Sequence, residues 1–365
     1  AELGGHVDQC DTCQAERISY NSCRDRHCPK CQSSRGAQWV TEREARLLPI
    51  PYFHVVFTIP HQLNALALTN KKILFDILFA TSAQTLQAIA NDPEHLGAQI
   101  GFTSVLHTWG QTLSFHPHVH CVVTGGGPNH EQNRWIAAQE RFLFSVKVLS
   151  KLFRGKLLDA LDRAYQRNQL NFVGQSSTLE KPSAWKRLKD DLYQQSWVVY
   201  ATAPFKDVKH VYRYLSRYTH RVAISNHRII ALADNSVTFS YRDYADGDKK
   251  KQMVLTDGEF LRRFLLHTLP QRYTRIRHFG LCASTNVNTK LVLARQLLET
   301  QDHPTPEAAN PVCEPAVVKS WWERFFDQTG IDVMACPHCP GRFQRLGSFP
   351  PRPQRLSEAP VWNTS

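Results

Sequence analysis

Two histidines separated by one residue are the first candidates for chemistry in this sequence. His118 and His120 lie within residues 115–124, a stretch rich in valine and followed by three glycines. This composition predicts a β-strand, in which alternate side chains share a face. The two imidazoles would point to one side and could form part of a metal site, while Val119 would anchor the strand in a core. The alternative is a pair of histidines on a solvated sheet face, because so short a motif is weak by itself.

Four cysteines near the amino terminus indicate a zinc site. Cys10 and Cys13 form one Cys-x-x-Cys pair, and Cys28 and Cys31 form a second pair after fourteen intervening residues. Each short loop delivers two thiolates to one tetrahedral ion, so we predict that these four residues bind zinc. A set of unliganded thiols is the alternative. Further potential ligands, which would allow a second zinc ion, are Cys23, His27 and His6.

A third cysteine pair lies near the other end of the sequence. Cys336 and Cys339 have the spacing of half a zinc site, with Cys282 or Cys313 as candidate partners. We expect no signal peptide, and we therefore interpret the clustered pairs as metal ligands in a reducing cytosol rather than as disulfides.

A pair of tyrosines forms the second candidate site. Asp207 can cap a helix that continues to about His220, and Tyr214 and Tyr218 stand one turn apart on one face of it. A parallel row of guanidinium groups, expected to contact DNA, comprises Arg213, Arg217 and Arg221. Paired phenols beside such a row suit attack on a phosphodiester. Amphipathic core tyrosines with solvated hydroxyl groups are the alternative.

The charge balance favours a polyanionic partner. The chain carries 44 lysines and arginines against 32 aspartates and glutamates, a formal net charge of +12. Residues 260–298 contain seven basic residues and no acidic one. In this window we expect phosphate contacts from Arg272, Arg275 and Arg277, and base stacking on Tyr273 and Phe279. A solvated basic face is the alternative.

The sequence predicts no membrane-spanning segment. The most apolar helical stretch, near residues 73–80, contains Asp76 and is much shorter than the ~20 apolar residues that a bilayer requires. We therefore expect a cytoplasmic protein without a membrane partner.

The two candidate sites can take part in one reaction. A phenol has a pKa near about 10 and attacks phosphorus poorly unless the electrophile is polarised. A divalent metal on His118 and His120 could act as the Lewis acid, and a tyrosine could then attack in line. The products would be a 5′-phosphotyrosine and a free 3′-hydroxyl. This exchange needs no nucleotide, in keeping with the lack of a G-x-x-x-x-G-K-[ST] loop in the sequence.

Three blocks in this order carry a resemblance to a known family. They are the cysteine-rich segment with Asn-Ser-Cys-Arg at 21–24 and Arg-His-Cys-Pro at 26–29, Trp-Gly-Gln at 109–111 leading to Phe-His-Pro-His-Val-His at 115–120, and Tyr-Leu-Ser-Arg-Tyr-Thr-His-Arg at 214–221. Together they resemble the HUH rolling-circle transposases of bacterial insertion sequences, in particular the insertion sequence 91 group. The similarity covers most of the chain.

The resemblance implies an α+β fold, with an HUH endonuclease core whose antiparallel sheet has the histidine strand at its centre, and an amino-terminal zinc-binding domain. It implies nicking and joining of single-stranded DNA at transposon ends with Mg²⁺ or Mn²⁺, in the bacterial cytoplasm at the nucleoid. His118 and His120 would be metal ligands, and Tyr214 and Tyr218 the nucleophiles, with Tyr214 the first choice. HUH sites usually have a third ligand. Gln111 is our hypothesis for it, with His116 and His107 as rivals.

Other functions remain possible at this point. A plasmid-type replication initiator or conjugative relaxase shares the HUH chemistry. A non-catalytic zinc-dependent DNA-binding protein belongs to a different class, in which the histidines and tyrosines are structural. A metal-dependent hydrolase is weaker, because no carboxylate cluster accompanies the histidines.

Composition shifts suggest four segments. We predict a zinc-binding, DNA-contacting domain over 1–45 and a nuclease core over 46–285, with an insertion around 169–196. A helical carboxy-terminal region with its Cys-x-x-Cys pair would span 286–345, and a disordered Pro/Arg-rich tail would span 346–365. Predicted strands of the core are 52–59, 101–109, 118–124 (after Pro117), 197–202, 222–224, 228–232, 237–241 and 252–255. Predicted helices are 62–91, 147–168, 208–220 and 257–267.

Overall fold

The chain forms two compact units. The computed structural model describes residues 2–23, 25, 39–40, 42–139, 143–205, 223–300, 320, 322–323, 325–326 and 330–351. One unit combines residues 1–38 with residues 312–365, and the other comprises residues 39–311. The two ends of the chain therefore belong to the same unit, whereas the sequence suggested separate terminal segments.

The described strands are β1 (Gly5–Cys10), β2 (Glu16–Tyr20), β3 (Tyr52–Thr58), β4 (Gly101–Trp109), β5 (Phe115–Thr124), β6 (Gly126–Pro128), β7 (Trp135–Ala137), β8 (Val199–Ala201), β9 (Ile229–Ala233), β10 (Ser236–Asp243), β11 (Lys249–Thr256), β12 (Ile276–Gly280) and β13 (Phe343–Phe349). The described α-helices are α1 (Asn64–Thr69), α2 (Lys71–Asn91), α3 (Val146–Gln166), α4 (Pro182–Gln194), α5 (Asp257–Leu266) and α6 (Lys290–Thr300).

The unit formed by the chain ends contains a three-stranded sheet in the order β13-β1-β2. β13 runs antiparallel to β1, with Cys10 opposite Phe343 and Gly5 opposite Phe349. This corrects the expected disordered tail for residues 346–349. The backbone hydrogen bonds of the ladder order a segment whose side chains give little hydrophobic signal, and such a segment is compatible with an edge strand.

The larger unit contains a five-stranded sheet in the order β12-β4-β5-β3-β8, and every neighbouring pair is antiparallel. The histidine strand β5 is its central strand. The predicted α+β fold with an antiparallel sheet flanked by helices is confirmed. The strand β12 was not predicted, because the basic residues around it obscure the alternation on which strand prediction depends.

One face of this sheet carries the main hydrophobic core. Val119, Cys121 and Val123 of β5 are buried there, together with residues of α2 and α3. Helix α2 is long and apolar enough to cross a membrane by length and composition. However, its side chains Leu78 and Phe79 are 1% or less exposed inside this core, which explains its apolar composition.

Two helical segments differ from their predictions. The helix expected over 62–91 is divided at Asn70, whose buried side chain donates to Leu66 O and accepts from the backbone N–H of Asn171. The expected insertion at 169–196 forms helix α4, and its Trp185 is buried and stacks on Tyr165 with ring centroids 4.5 Å apart. This segment therefore completes the helical layer of the core.

A second cluster covers one end of the opposite face of the sheet. Val105 and Val122 are buried there against Trp135 and Leu291. Because Leu291 belongs to α6, the second unit extends beyond the predicted boundary at residue 285. The histidines of β5 share this face and lie towards the other end of the strand. The short strand expected over 222–224 is not formed in its described part, where Ala223 has a φ of 58°.

Candidate metal centre

The register of two central strands brings a third histidine to the predicted pair. His107 of β4 lies directly opposite His118 of β5, and Val105 lies opposite His120. Directly opposite residues of an antiparallel pair point to the same face. The ring nitrogens available for coordination in His107, His118 and His120 consequently lie within 4.8 Å of one another.

The three imidazoles are packed tightly. The ring centroid of His107 lies 4.3 Å from that of His120 and 5.4 Å from that of His118, and the His118 and His120 centroids are 4.8 Å apart. His107 is 2% exposed and stacks on Trp109 at 4.8 Å. The sheet and this stack therefore hold the rings close together before any metal binds.

Hydrogen bonds orient two of these rings. His118 Nδ1 lies 2.6 Å from the carbonyl oxygen of His116, so this nitrogen carries the proton and donates it. His120 Nδ1 lies 2.8 Å from Nε2 of His54 on the neighbouring strand β3. When His120 donates in this contact, Nε2 of both His118 and His120 is left with a lone pair that can bind a metal.

Burial keeps these imidazoles neutral. Desolvation lowers the pKa of His118 to about 4 and the pKa of His120 well below its ordinary value. Burial also lowers the pKa of His54 to about 4. Neutral imidazole is the form that ligates metals, so at neutral pH the donor set suits a divalent cation.

Gln111, our hypothesis for the third ligand, has its side chain in other hydrogen bonds. It follows the end of β4 in the turn closed by the hydrogen bond from Gly110 N to Ser114 O. Its side-chain amide donates to the hydroxyl of Tyr244 at 3.1 Å, and its carbonyl oxygen accepts from Arg242 N at 3.4 Å. The rival His107, by contrast, has its ring nitrogen grouped with those of His118 and His120. The other rival, His116, contributes its backbone carbonyl to His118 and is not one of the three grouped imidazoles.

The predicted nucleophiles lie outside the described residues. These are Tyr214 and Tyr218, together with the arginine row Arg213, Arg217 and Arg221. Their roles stay predictions.

The described chain on both sides of this segment runs beside the histidines. Before it, the ring of Phe205 lies 6.1 Å from that of His54. After it, Ala223 is buried in a cluster against which Trp109 packs, and Trp109 stacks on His107.

The basic window of the sequence divides into structural and exposed residues. Arg275 is 9% exposed, and Arg277 is bonded to Asp76 and lies 4.3 Å over the ring of Phe79. Tyr273, proposed for base stacking, is 7% exposed. Arg272 is the exposed arginine of this predicted trio. The second stacking candidate, Phe279, lies 5.0 Å from Phe102 in a stacked pair inside the fold.

A second group of ligand-type side chains lies in the unit formed by the chain ends. The Sγ atoms of Cys10, Cys13, Cys336 and Cys339 all lie within 4.8 Å of one another. This set differs from the one predicted, since Cys336 and Cys339 occupy the positions assigned to Cys28 and Cys31. The last two, and His27, lie outside the described residues, whereas Cys23 and His6 are described and are not in the group.

Sequence reasoning missed His54 altogether. Its only signal was a histidine in the otherwise apolar and aromatic strand at 52–59. That signal acquires meaning only when β3 is known to lie next to β5, where residues 54, 56 and 58 share the face of His118 and His120.

Family models match both parts of the chain. Residues 101–290 match a model described as a putative transposase, and residues 1–59 match a model described as a transposase zinc-binding domain of the insertion sequence 91 type. The first match covers the histidine cluster, and the second covers Cys10 and Cys13.

Two curated proteins are similar over most of the chain. The putative transposase y4qJ of Sinorhizobium fredii is 45% identical over 339 residues, which cover 93% of this chain and 83% of that protein. The transposase for insertion sequence element IS801 of Pseudomonas savastanoi pathovar phaseolicola is 29% identical over 274 residues, covering 75% of this chain and 64% of that protein. No solved structure matches the chain.

Proposed function

The chain belongs to the insertion sequence 91 family of transposases, and we propose that it nicks and rejoins single-stranded DNA at transposon ends through a tyrosine nucleophile. The observation that carries the proposal is the cluster of three imidazoles on the central strands, with ligand atoms within 4.8 Å of one another.

The donor set is compatible with a catalytic divalent ion. A cation on His107, His118 and His120 would supply Lewis-acid polarisation of the scissile phosphate. Between the two ions considered, nitrogen ligands favour Mn²⁺ over Mg²⁺, because Mg²⁺ prefers oxygen ligands. Three protein ligands also leave coordination positions for phosphate oxygens.

The role proposed for the protein is to place a phenol against that phosphate. The hydroxyl oxygen of Tyr214 or Tyr218 loses its proton and attacks phosphorus, and the bond from phosphorus to the 3′ oxygen breaks. One strand then ends in a free 3′-hydroxyl and the other in a 5′-phosphotyrosine. A 3′-hydroxyl of another strand reverses the reaction and releases the tyrosine. The support is that the ring of Phe205 lies 6.1 Å from that of His54, and that Ala223 belongs to the cluster against which Trp109, the stacking partner of His107, packs.

The two tyrosines would serve successive cleavages. While one phenol holds a strand end covalently, the second is free to attack another phosphodiester. Phosphodiester bonds are exchanged rather than consumed, so the reaction requires no nucleotide.

A covalent-adduct assay tests this proposal. The full chain is incubated with Mn²⁺ and labelled single-stranded oligonucleotides from both ends of the element, and duplexes of the same sequences serve as a comparison. We expect a labelled protein adduct with single strands and a new 3′-hydroxyl end. Tyr212→Phe is the matched control, since in the helix predicted from the sequence this tyrosine would lie off the face shared by Tyr214 and Tyr218.

The combined variant Tyr214→Phe, Tyr218→Phe should form no adduct. An adduct that persists in it would remove both tyrosines as nucleophiles. DNA binding without an adduct on any single strand would instead favour the non-catalytic zinc-dependent DNA-binding protein.

A further inference from the structure

The two described Cys-x-x-Cys pairs come from opposite ends of the chain. Cys10 is the last residue of β1, and Cys13 follows in the adjoining turn. Cys336 and Cys339 precede β13, which pairs with β1 and places Phe343 opposite Cys10. The pairing of β1 with β13 therefore brings the loop of Cys10 and Cys13 next to the loop of Cys336 and Cys339, although more than three hundred residues separate them in the sequence.

The sulfur positions fit one tetrahedral ion. Cys10 Sγ lies 3.4 Å from Cys339 Sγ, and Cys13 Sγ lies 3.6 Å from Cys336 Sγ. Four thiolates at a Zn–S distance of about 2.3 Å stand about 3.8 Å from one another in a tetrahedron. The two observed distances are close to this value.

Backbone amides also contact three of the sulfurs. Thr12 N donates to Cys10 Sγ, His338 N to Cys336 Sγ and Gly341 N to Cys339 Sγ, each at 3.4 Å. These contacts fix the positions of the sulfurs within the two loops.

The described residues of the surrounding unit contain a small apolar core. Its buried hydrophobic cluster in the described residues consists of Cys10, Cys336 and Phe343. Around it, Arg17 lies 4.2 Å over the ring of Phe343 and bonds to Asp8 at 2.9 Å. Small units with so little apolar core usually depend on a metal or disulfides for their folding energy.

We propose that Cys10, Cys13, Cys336 and Cys339 bind one zinc ion that joins the two ends of the chain. The zinc-binding domain matched at residues 1–59 is then incomplete without the segment around 336–339. Cys28 and Cys31 are left for a second ion or for another role. Truncation of the chain before residue 336 would consequently unfold the amino-terminal sheet.

Thiol protection separates this grouping from the one suggested by sequence. The full-length zinc-loaded chain is treated with N-ethylmaleimide, the modified cysteines are mapped by mass spectrometry, and bound zinc is measured. In the variant Cys336→Ser, Cys339→Ser we expect loss of about one zinc equivalent and labelling of Cys10 and Cys13. In the matched variant Cys28→Ser, Cys31→Ser, we expect Cys10 and Cys13 to stay protected. Protection of Cys10 and Cys13 in the Cys336→Ser, Cys339→Ser variant, with their labelling in the Cys28→Ser, Cys31→Ser variant, would overturn the proposal.

A measurement on the unaltered chain covers the case in which a variant does not fold. Zinc is removed with a chelator in the presence of diamide, which oxidises neighbouring thiol pairs to disulfides. Peptide mapping should then recover links from Cys10 or Cys13 to Cys336 or Cys339. Links from Cys10 or Cys13 to Cys28 or Cys31 in place of these would contradict the shared site.

Discussion

His54 Nε2 lies 2.8 Å from Nδ1 of His120, and the two rings are stacked with an interplanar angle of 6°. His54 is not one of the three grouped imidazoles, so its contact orients a proposed ligand rather than the metal. Outer partners of this kind usually change metal affinity by about 10–100-fold when removed. Substitution of His54 therefore tests whether its contact with His120 contributes to metal affinity.

Replacement of His54 should weaken Mn²⁺ binding without abolishing it. We expect His54→Phe to raise the Kd for Mn²⁺ by about 10-fold or more, because His120 loses the acceptor that fixes its tautomer. His54→Gln retains a hydrogen-bonding group and should recover part of the affinity. Titration calorimetry measures both.

His278 offers the matched control for that experiment. It also lies in the sheet, hydrogen-bonded to Thr103 at 2.9 Å, and burial likewise lowers its pKa to about 4. His278→Phe should leave Mn²⁺ affinity unchanged. Equal losses of Mn²⁺ affinity in the His54 and His278 variants would mean that both substitutions act by destabilising the sheet.

The identity of the third ligand can be decided by two substitutions. His107→Ala removes an imidazole from the cluster and should reduce Mn²⁺ affinity strongly, and with it adduct formation. Gln111→Ala removes only the contacts with Tyr244 and Arg242 and should leave Mn²⁺ affinity close to that of the unaltered chain. A larger loss of affinity in the Gln111 variant would restore the sequence-based assignment.

A glycine between the cysteine loops should be sensitive to any side chain. A Cβ at Gly341 would come within 2.6 Å of Asp11 Oδ1 and closer still to Thr12 Oγ1, whereas a Cβ at Gly347 meets nothing within 4 Å. We expect Gly341→Ala to release zinc faster to a competing chelator than Gly347→Ala. Equal rates of zinc release from the two variants would show that the cysteine loops accommodate a side chain at residue 341 without disturbing the metal site.

The two arginines Arg272 and Arg277 should affect DNA binding differently. Arg272 is exposed, so Arg272→Ala should weaken binding on all single strands and reduce the slope against salt concentration by about 1. Arg277 is bonded to Asp76, so Arg277→Ala should leave this slope unchanged. Filter binding at several salt concentrations measures both slopes, and a reduced slope in Arg277→Ala would make it a phosphate contact.

The Arg277–Asp76 pair should instead affect stability in a pH-dependent way. Burial raises the pKa of Asp76, but hydrogen bonds from Arg277 and Lys72 outweigh it and leave the pKa below its usual value. Because the folded pKa is the lower one, the stabilisation is present above about pH 4 and is lost as pH falls through the folded pKa.

For a half-exposed pair we expect Asp76→Asn to lower the free energy of unfolding by about 1 kcal/mol at pH 7. Urea unfolding should show this difference shrinking as the pH falls below about 4. A constant difference across that range would exclude the carboxylate charge as its cause.

The sequence by itself determined the local features of this protein. Period-two alternation located the strand of His118 and His120 and their common face, and the Cys-x-x-Cys spacings identified paired thiols. It also determined the order of the motifs, from which the family resemblance followed. All of these depend on residues within a few positions of one another.

Only the tertiary structure decided which of these features meet. Strand register placed His107 and His54 beside the histidine pair, and the pairing of β1 with β13 brought Cys339 to Cys10. It also assigned Arg277 to an ion pair inside the fold. The physical reason is that register and strand partners are set by long-range burial and backbone hydrogen bonds, whereas periodicity in the sequence reports only which way each side chain points along its own element.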